Sequence, residues 1–213
     1  MVRQFDIITE ADARRIEPGT SVELRAGGHV TPLAADTLKE RRITVVPAGS
    51  IDPTLPADLA PPARVRRVVI ASDHTGIALR AAIVTHLRRN GLAVEDLGVD
   101  TTTSVDYPDT ASSVARAVAR GQADAGIAID GAGIGSAIAA NKVKGVRAAM
   151  CTDETLARYA REHNGANVLT LGSTLLPDTA AALGIVDVWL TTPMTEARYV
   201  RRLLKIRRLE EQG

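Results

Sequence analysis

The sequence predicts an α/β protein: a Rossmann-like, three-layer α/β/α domain on a five-stranded parallel sheet, preceded by a small N-terminal module. Three observations carry this reading. Short apolar runs of strand length alternate with helix-periodic segments through residues 67–213, the pattern of a parallel sheet covered on both faces. One run, Ala125–Ile129, passes directly into Asp130-Gly-Ala-Gly-Ile-Gly-Ser136, a glycine loop where open α/β sheets place their chemistry. Prolines 47, 53, 56, 61 and 62 mark residues 47–66 as an extended linker, leaving a module at residues 1–46.

The chain has 213 residues, enough for one good-sized domain plus something small. Hydrophobic and charged contents of 45% and 24% suit a soluble globular protein. Aromatics make up only 2%, so the core must come from Ala, Val, Ile and Leu. Lys and Arg number 26 against 25 Asp and Glu, which leaves no net field for nonspecific nucleic-acid binding. Apolar runs are strand-sized, so no membrane span is expected, and the first residues lack a secretory apolar region. The single cysteine, Cys151, excludes an intrachain disulfide framework and fits a reducing cytoplasm; it reads as a small core residue at a strand end. No Cys/His cluster has metal spacing, so no metal site is expected.

Within the N-terminal module, Ser21–Arg25 and Ile43–Val46 read as strands. Thr31-Pro32 opens a helix, with Thr at the N-cap and Pro at the first helical position. Its core is too small for confident independent stability, so it is expected to dock on the main domain or on another chain. In the main domain, Val68–Ser72 is the first strand and Ile77–Arg89 the first helix, stopped by Gly91. Ala93–Leu97 is a strand, Asp100–Pro108 a polar loop and Asp109–Arg120 a helix. The Ala125–Ile129 strand is followed by a helix at Ser136–Asn141, a strand at Val146–Cys151, a helix at Asp153–Asn164 and a strand at Val168–Leu171. Pro177–Leu190 and Thr195–Glu211 close the chain as helices.

Polar residues are expected to gather at the C-terminal ends of the strands. Ser72-Asp73-His74 follows the first, Asp106-Tyr107-Pro108 the second, and Asp130 with Gly131, Gly133 and Gly135 the third; His163-Asn164 and Asn167 precede the fifth. These are expected to converge on one rim of the sheet, the crevice where doubly wound folds bind ligands. Asp73 is also a candidate cap for the helix after it. The loop spacing is G-x-G-x-G rather than G-x-G-x-x-G, which argues against a nicotinamide cofactor but suits an anion, either phosphate or an enediolate. Arg198 and Arg202 lie four apart on the last helix, placed to grip one phosphate or to form a solvated basic face.

Ser72-Asp-His-Thr-Gly76, Asp106-Tyr-Pro108, Gly131-Ala-Gly-Ile-Gly135, Ala139-Ala-Asn-Lys142 and Arg161-Glu-His-Asn164 together resemble the type B ribose-5-phosphate isomerase family, which includes galactose-6-phosphate isomerase subunits. The resemblance covers residues 67–210. It implies a homodimer or dimer of dimers with an active site shared between subunits. The implied reaction is aldose–ketose isomerisation of a sugar phosphate, without metal or cofactor, by default between ribose 5-phosphate and ribulose 5-phosphate. It implies that His163 opens the sugar ring, that Asp73 and His74 contact substrate oxygens, and that the loop amides stabilise the enediolate. Tyr107, Asn141 and Asn164 would line the site, and Arg198 and Arg202 would hold the phosphate.

The departures are specific. Many members place a cysteine base immediately before the first loop glycine, where this chain has Asp130; others use a glutamate after the last glycine, where it has Ser136. Ala132 replaces a Thr or Ser, Thr174 stands where an arginine often follows, and Tyr199 replaces a His. Asp130 is therefore the candidate base; alternatively the site takes another sugar phosphate, such as a tetrose phosphate, or binds without catalysis. Separately, Ile8–Asp12, Gly28–Ala34 and Arg42–Val46 resemble a segment of enzymes associated with bacterial microcompartments. That implies a shell or cargo partner for residues 1–62 and a cytoplasmic location inside such a compartment; the other reading is an extension that stabilises the oligomer.

Overall fold

The computed structural model describes residues 3–47, 59–62, 64–194 and 197–212; within these, the side chains of Ser21, Pro47, Ala197 and Arg198 are outside the description. Pro53 and Pro56 of the expected linker lie outside the described residues. The chain divides into two compact units, Met1–Ala57 with Glu196–Arg198, and Asp58–Thr195 with Tyr199–Gly213.

The first unit contains β1 (Gln4–Ile8), α1 (Glu10–Arg15), β2 (Ser21–Val30), α2 (Pro32–Glu40) and β3 (Thr44–Pro47), its strands parallel in the order β1-β2-β3. Ile8, Ala13, Ile16, Val22, Ala34, Leu38 and Ile43 form its core. Two elements, β1 and α1, were not expected. The start of α1 is a capping box in which Thr9 and Asp12 satisfy each other's backbone N–H. β2 runs five residues past the expected Arg25, through Gly27 and Gly28. Thr31 occupies the N-cap of α2, but its hydroxyl donates to Ile8 O at 3.3 Å instead of capping the helix.

The second unit contains β4 (Arg67–Ser72), α3 (Ile77–Arg89), β5 (Ala93–Asp96), α4 (Tyr107–Ala119), β6 (Ala125–Asp130), α5 (Ile134–Ala140), β7 (Ala148–Met150), α6 (Glu154–Glu162), β8 (Val168–Gly172), α7 (Thr179–Thr191) and α8 (Ala197–Gln212). Its five strands are all parallel in the order β5-β4-β6-β8-β7. Alternation along β4 sorts the core: Val68 and Ile70 pack with Ile83 and Leu87 of α3 and Trp189 of α7, whereas Val69 and Ala71 pack with Val114 and Ala115 of α4. The unit is thus a three-layer α/β/α sandwich, as its apolar pattern predicts.

Connections from β4 and β6 leave toward opposite edges of the sheet, which opens a crevice at the C-terminal ends of this adjacent pair. Several boundaries differ from the sequence reading, and three of them have a clear local cause. α4 starts at Tyr107 rather than Asp109, because a proline in the first helical turn has no N–H to satisfy. β7 is only three residues long, since Val146 N is spent on a turn to Val143 O. Leu59 is buried and its carbonyl accepts from Arg147 at 3.0 Å, so the chain joins the larger unit well before residue 66.

Candidate active site

The crevice begins with the register of β4 and β6. Ser72 pairs with Ile129, so Asp73 and Asp130 occupy the next positions along neighbouring strands, and Asp73 N donates to Ile129 O at 3.1 Å. Asp73 is buried, and its Oδ1 accepts from Thr75 N at 2.9 Å and Thr75 Oγ1 at 2.6 Å. It does not cap α3, whose N-cap is Gly76. Among the described residues no donor reaches Oδ2 of Asp73. Nδ1 of the half-buried His74 accepts from Val105 N at 3.3 Å. The neutral ring therefore carries its proton on Nε2 and is a donor there.

Asp130, 4% exposed, is the most heavily bonded group of the crevice. Its Oδ1 accepts from Ala132 N at 2.8 Å and from Gly133 N; its Oδ2 accepts from Ser136 N at 2.9 Å and Ser136 Oγ at 2.5 Å. A carboxylate offers about four lone-pair positions, and these donors fill them. In this arrangement Asp130 anchors the glycine loop and the first turn of α5, and every lone-pair position through which it would accept a proton already has a donor. The amides of Ala132, Gly133 and Ser136 are spent on it as well, which removes them from the expected enediolate cradle. Two glycines are required sterically. Gly133 has φ +76° and a Cβ there would lie 2.9 Å from Gly172 N, while a Cβ on Gly135 would lie 2.5 Å from the Tyr107 ring. Gly131 is closed from the other side, its carbonyl accepting from Thr174 N and Oγ1 at 3.0 and 2.6 Å.

Ser173 and Thr75 complete this rim, their hydroxyls 3.3 Å apart. Neither was singled out as a site residue in the sequence; the only signal was a run of small polar residues just past two strand ends. Cys151 does not replace the missing base. It is 1% exposed, and burial, with Asp153 nearby, pushes its thiol up to about 12.

The remaining expected residues do not join this rim, which corrects the idea of a single converging edge within one chain. His163 and Asn164 follow α6 and precede β8, and in a parallel sheet that position is the N-terminal edge. The intervening strand separates the two edges by roughly 15 Å at about 3.3 Å per residue. At this second edge the His163 ring stacks with Tyr159 at 4.7 Å and meets Tyr199 of α8 at 4.5 Å. Arg202 Cζ lies 5.5 Å from the Tyr199 ring. Asn164 is exposed and donates to Tyr159 O at 3.0 Å. The Arg198 side chain lies outside the described residues. Asn141 is also at the N-terminal edge, with both ends of its amide clamping Ala148 at 2.9 and 2.8 Å, so it holds α5 to β7.

Arg161 braces this second edge. It is 1% exposed, donates to Ala166 O at 2.8 Å and lies 5.0 Å from the Trp189 ring. Burial, and then Arg147 nearby, lower its pKa to about 10, so it stays a cation at neutral pH.

A carboxylate pair, an imidazole donor and a glycine loop at the switch point of a parallel sheet define a small-molecule enzyme site of the doubly wound α/β class. The family model described as Ribose/Galactose Isomerase matches residues 68–206. Ribose-5-phosphate isomerase B of Escherichia coli (strain K12) is 40% identical over 147 residues, spanning 69% of this chain and 98% of its own length. Among solved structures, Clostridium thermocellum ribose-5-phosphate isomerase B has 44% identity and a TM-score of 0.67, over 68% of this chain and 98% of its own. The Mycoplasma genitalium enzyme with bound ribulose-5-phosphate has 42% identity and a TM-score of 0.67, over 69% and 97%. The chain belongs to the ribose/galactose isomerase family and is an aldose–ketose isomerase of that family.

Asp130→Asn tests the anchoring role, because the amide NH2 must face N–H groups that now find an oxygen. Each buried donor left unpaired costs about 1–3 kcal/mol. Urea unfolding is expected to show a loss of at least that size, whereas an unchanged midpoint contradicts the anchor.

Proposed function

We propose that the protein interconverts an aldose phosphate and its ketose phosphate, by default ribose 5-phosphate and ribulose 5-phosphate, in a site completed by two copies of the chain. The observation that carries this is the separation of the expected site residues onto opposite edges of one sheet. One copy supplies Asp73, His74, Tyr107 and the glycine loop from the C-terminal edge. A second copy supplies His163, Asn164, Arg198 and Arg202 from the N-terminal edge, as a homodimer or a dimer of dimers.

In this reading His163 opens the sugar ring and the paired arginines of α8 hold the phosphate. Asp130 being saturated, the open Oδ2 of Asp73 takes the C2 proton. The C–H electron pair becomes the C1=C2 bond of the enediolate, and the negative charge on O1 is met by Nε2–H of His74. Return of the proton from Asp73 to C1, with transfer of the O2 hydroxyl proton to O1, yields the ketose. Thr174, spent on Gly131 O where an arginine is usual, removes one cation from the rim and favours testing shorter sugars such as a tetrose phosphate alongside the pentose phosphates.

Subunit mixing tests the shared site. His74→Ala and His163→Ala homodimers are each expected to be nearly inactive. Mixed dimers carry both lesions in one site and none in the other, so random reassociation is expected to restore up to about a quarter of wild-type activity. A mixture no more active than the sum of its parents contradicts the two-copy site.

The N-terminal unit, with a core of its own, is read as a docking module for a microcompartment shell or cargo partner, placing the enzyme inside such a compartment in the cytoplasm. Because Leu59 belongs to the larger unit, the informative deletion is residues 1–57. The truncated protein is expected to keep its turnover in solution and to lose co-assembly with shell proteins. Undiminished co-assembly contradicts the docking role.

A further inference from the structure

The segment from Leu97 to Asp106 crosses from β5 to α4 over the crevice, and most of it is exposed. Beneath it lies Arg80 of α3, whose side chain is only 4% exposed. Its Nη1 donates to Ser72 Oγ at 3.1 Å and to Val99 O at 2.7 Å, its Nη2 donates to Asp100, and its Nε lies 3.2 Å from Asp96 Oδ1. Asp96 in turn accepts from Gly98 N at 2.9 Å. The backbone rests directly on the guanidinium: a Cβ on Gly98 would fall 1.8 Å from Nη1.

Both ends of this bridge are catalytic ground. Ser72 immediately precedes Asp73. The far end of the segment supplies Val105 N, which fixes the His74 ring, and leads into Tyr107, whose ring covers Gly135. On the isomerase reading above, we infer that Arg80 is a positioning residue. It pins the 97–106 segment to the end of β4 and thereby sets the proton arrangement of His74 and the wall formed by Tyr107. Arg80 itself touches no substrate. The planar fork matters as much as the charge, because a lysine ammonium cannot reach Ser72, Val99 and both aspartates in one geometry.

The test compares full-length wild type, Arg80→Lys and Arg80→Ala by aldose-phosphate isomerisation and by amide hydrogen exchange of residues 97–106. Misplacing catalytic groups by about 1 Å can cost 10²-fold, so Arg80→Lys is expected to lower kcat by about that factor with a smaller change in KM. Its Val105 amide is expected to exchange at least tenfold faster, and the pH profile of kcat/KM to shift as the His74 ring is released. Millimolar methylguanidinium is expected to restore part of the activity of Arg80→Ala. If Arg80→Ala does not fold, Arg80→Lys and Gly98→Ala, which pushes the segment off the guanidinium, carry the same readouts. Wild-type kcat, pH profile and Val105 protection in folded Arg80→Lys overturn the inference. A wild type inactive on every four- to six-carbon aldose phosphate overturns the isomerase reading instead, and Val105 exchange then still decides whether Arg80 holds the segment.

Discussion

The convergence of three backbone amides and one hydroxyl on the Asp130 carboxylate is the interaction on which the crevice depends. It ties the end of β6 to the glycine loop and to the first turn of α5 in one buried cluster. The loop is then closed against β8 through Thr174 and against α4 through the Tyr107 ring on Gly135. An anion built into the loop also changes the chemistry available there. A group whose lone pairs are filled by fixed donors holds a loop in one shape and has no position left for a further partner. The carboxylate beside it in register, Asp73, is anchored through one oxygen and leaves the other open.

A second constraint comes from parallel strands. Every segment that follows a strand lies at one edge, and every segment that precedes a strand lies at the other. Asp73, His74 and the loop therefore lie at the opposite edge of the sheet from His163 and Asn164 within one chain. On the two-copy reading proposed above, each half serves in the arrangement it has within one chain. Each half is rigid in its own way: the first through Arg80 and Asp130, the second through Arg161 beneath Trp189 and the stack of Tyr159, His163 and Tyr199.

Much of the fold was legible because its signals are one-dimensional. Apolar runs such as Val68–Ser72 and Ala125–Ile129, and the periodicity of Ile77–Arg89, locate strands and helices directly. The motif residues at strand ends were legible for the same reason. Two things were not. Whether Asp130 is open or saturated depends on where the N–H groups of residues 132–136 point, and spacing does not encode that. The edge on which His163 falls follows from strand direction, which the local spacing of polar residues does not carry. Arg80 is not legible in the sequence, because a lone arginine on a helix has the pattern of a surface charge and its partners Ser72, Asp96 and Asp100 come together only in the fold. β1 and α1, at five and six residues, are too short to set a clear period in the sequence.

Incorporation of deuterium from solvent at C2 of the aldose phosphate bears most directly on the assignment of proton transfer to Asp73. In folded Asp73→Asn that still binds ribose 5-phosphate, the exchange rate is predicted to fall by about 10²–10⁴, the usual contribution of a general base. Exchange within a few fold of wild type in that variant would contradict the account.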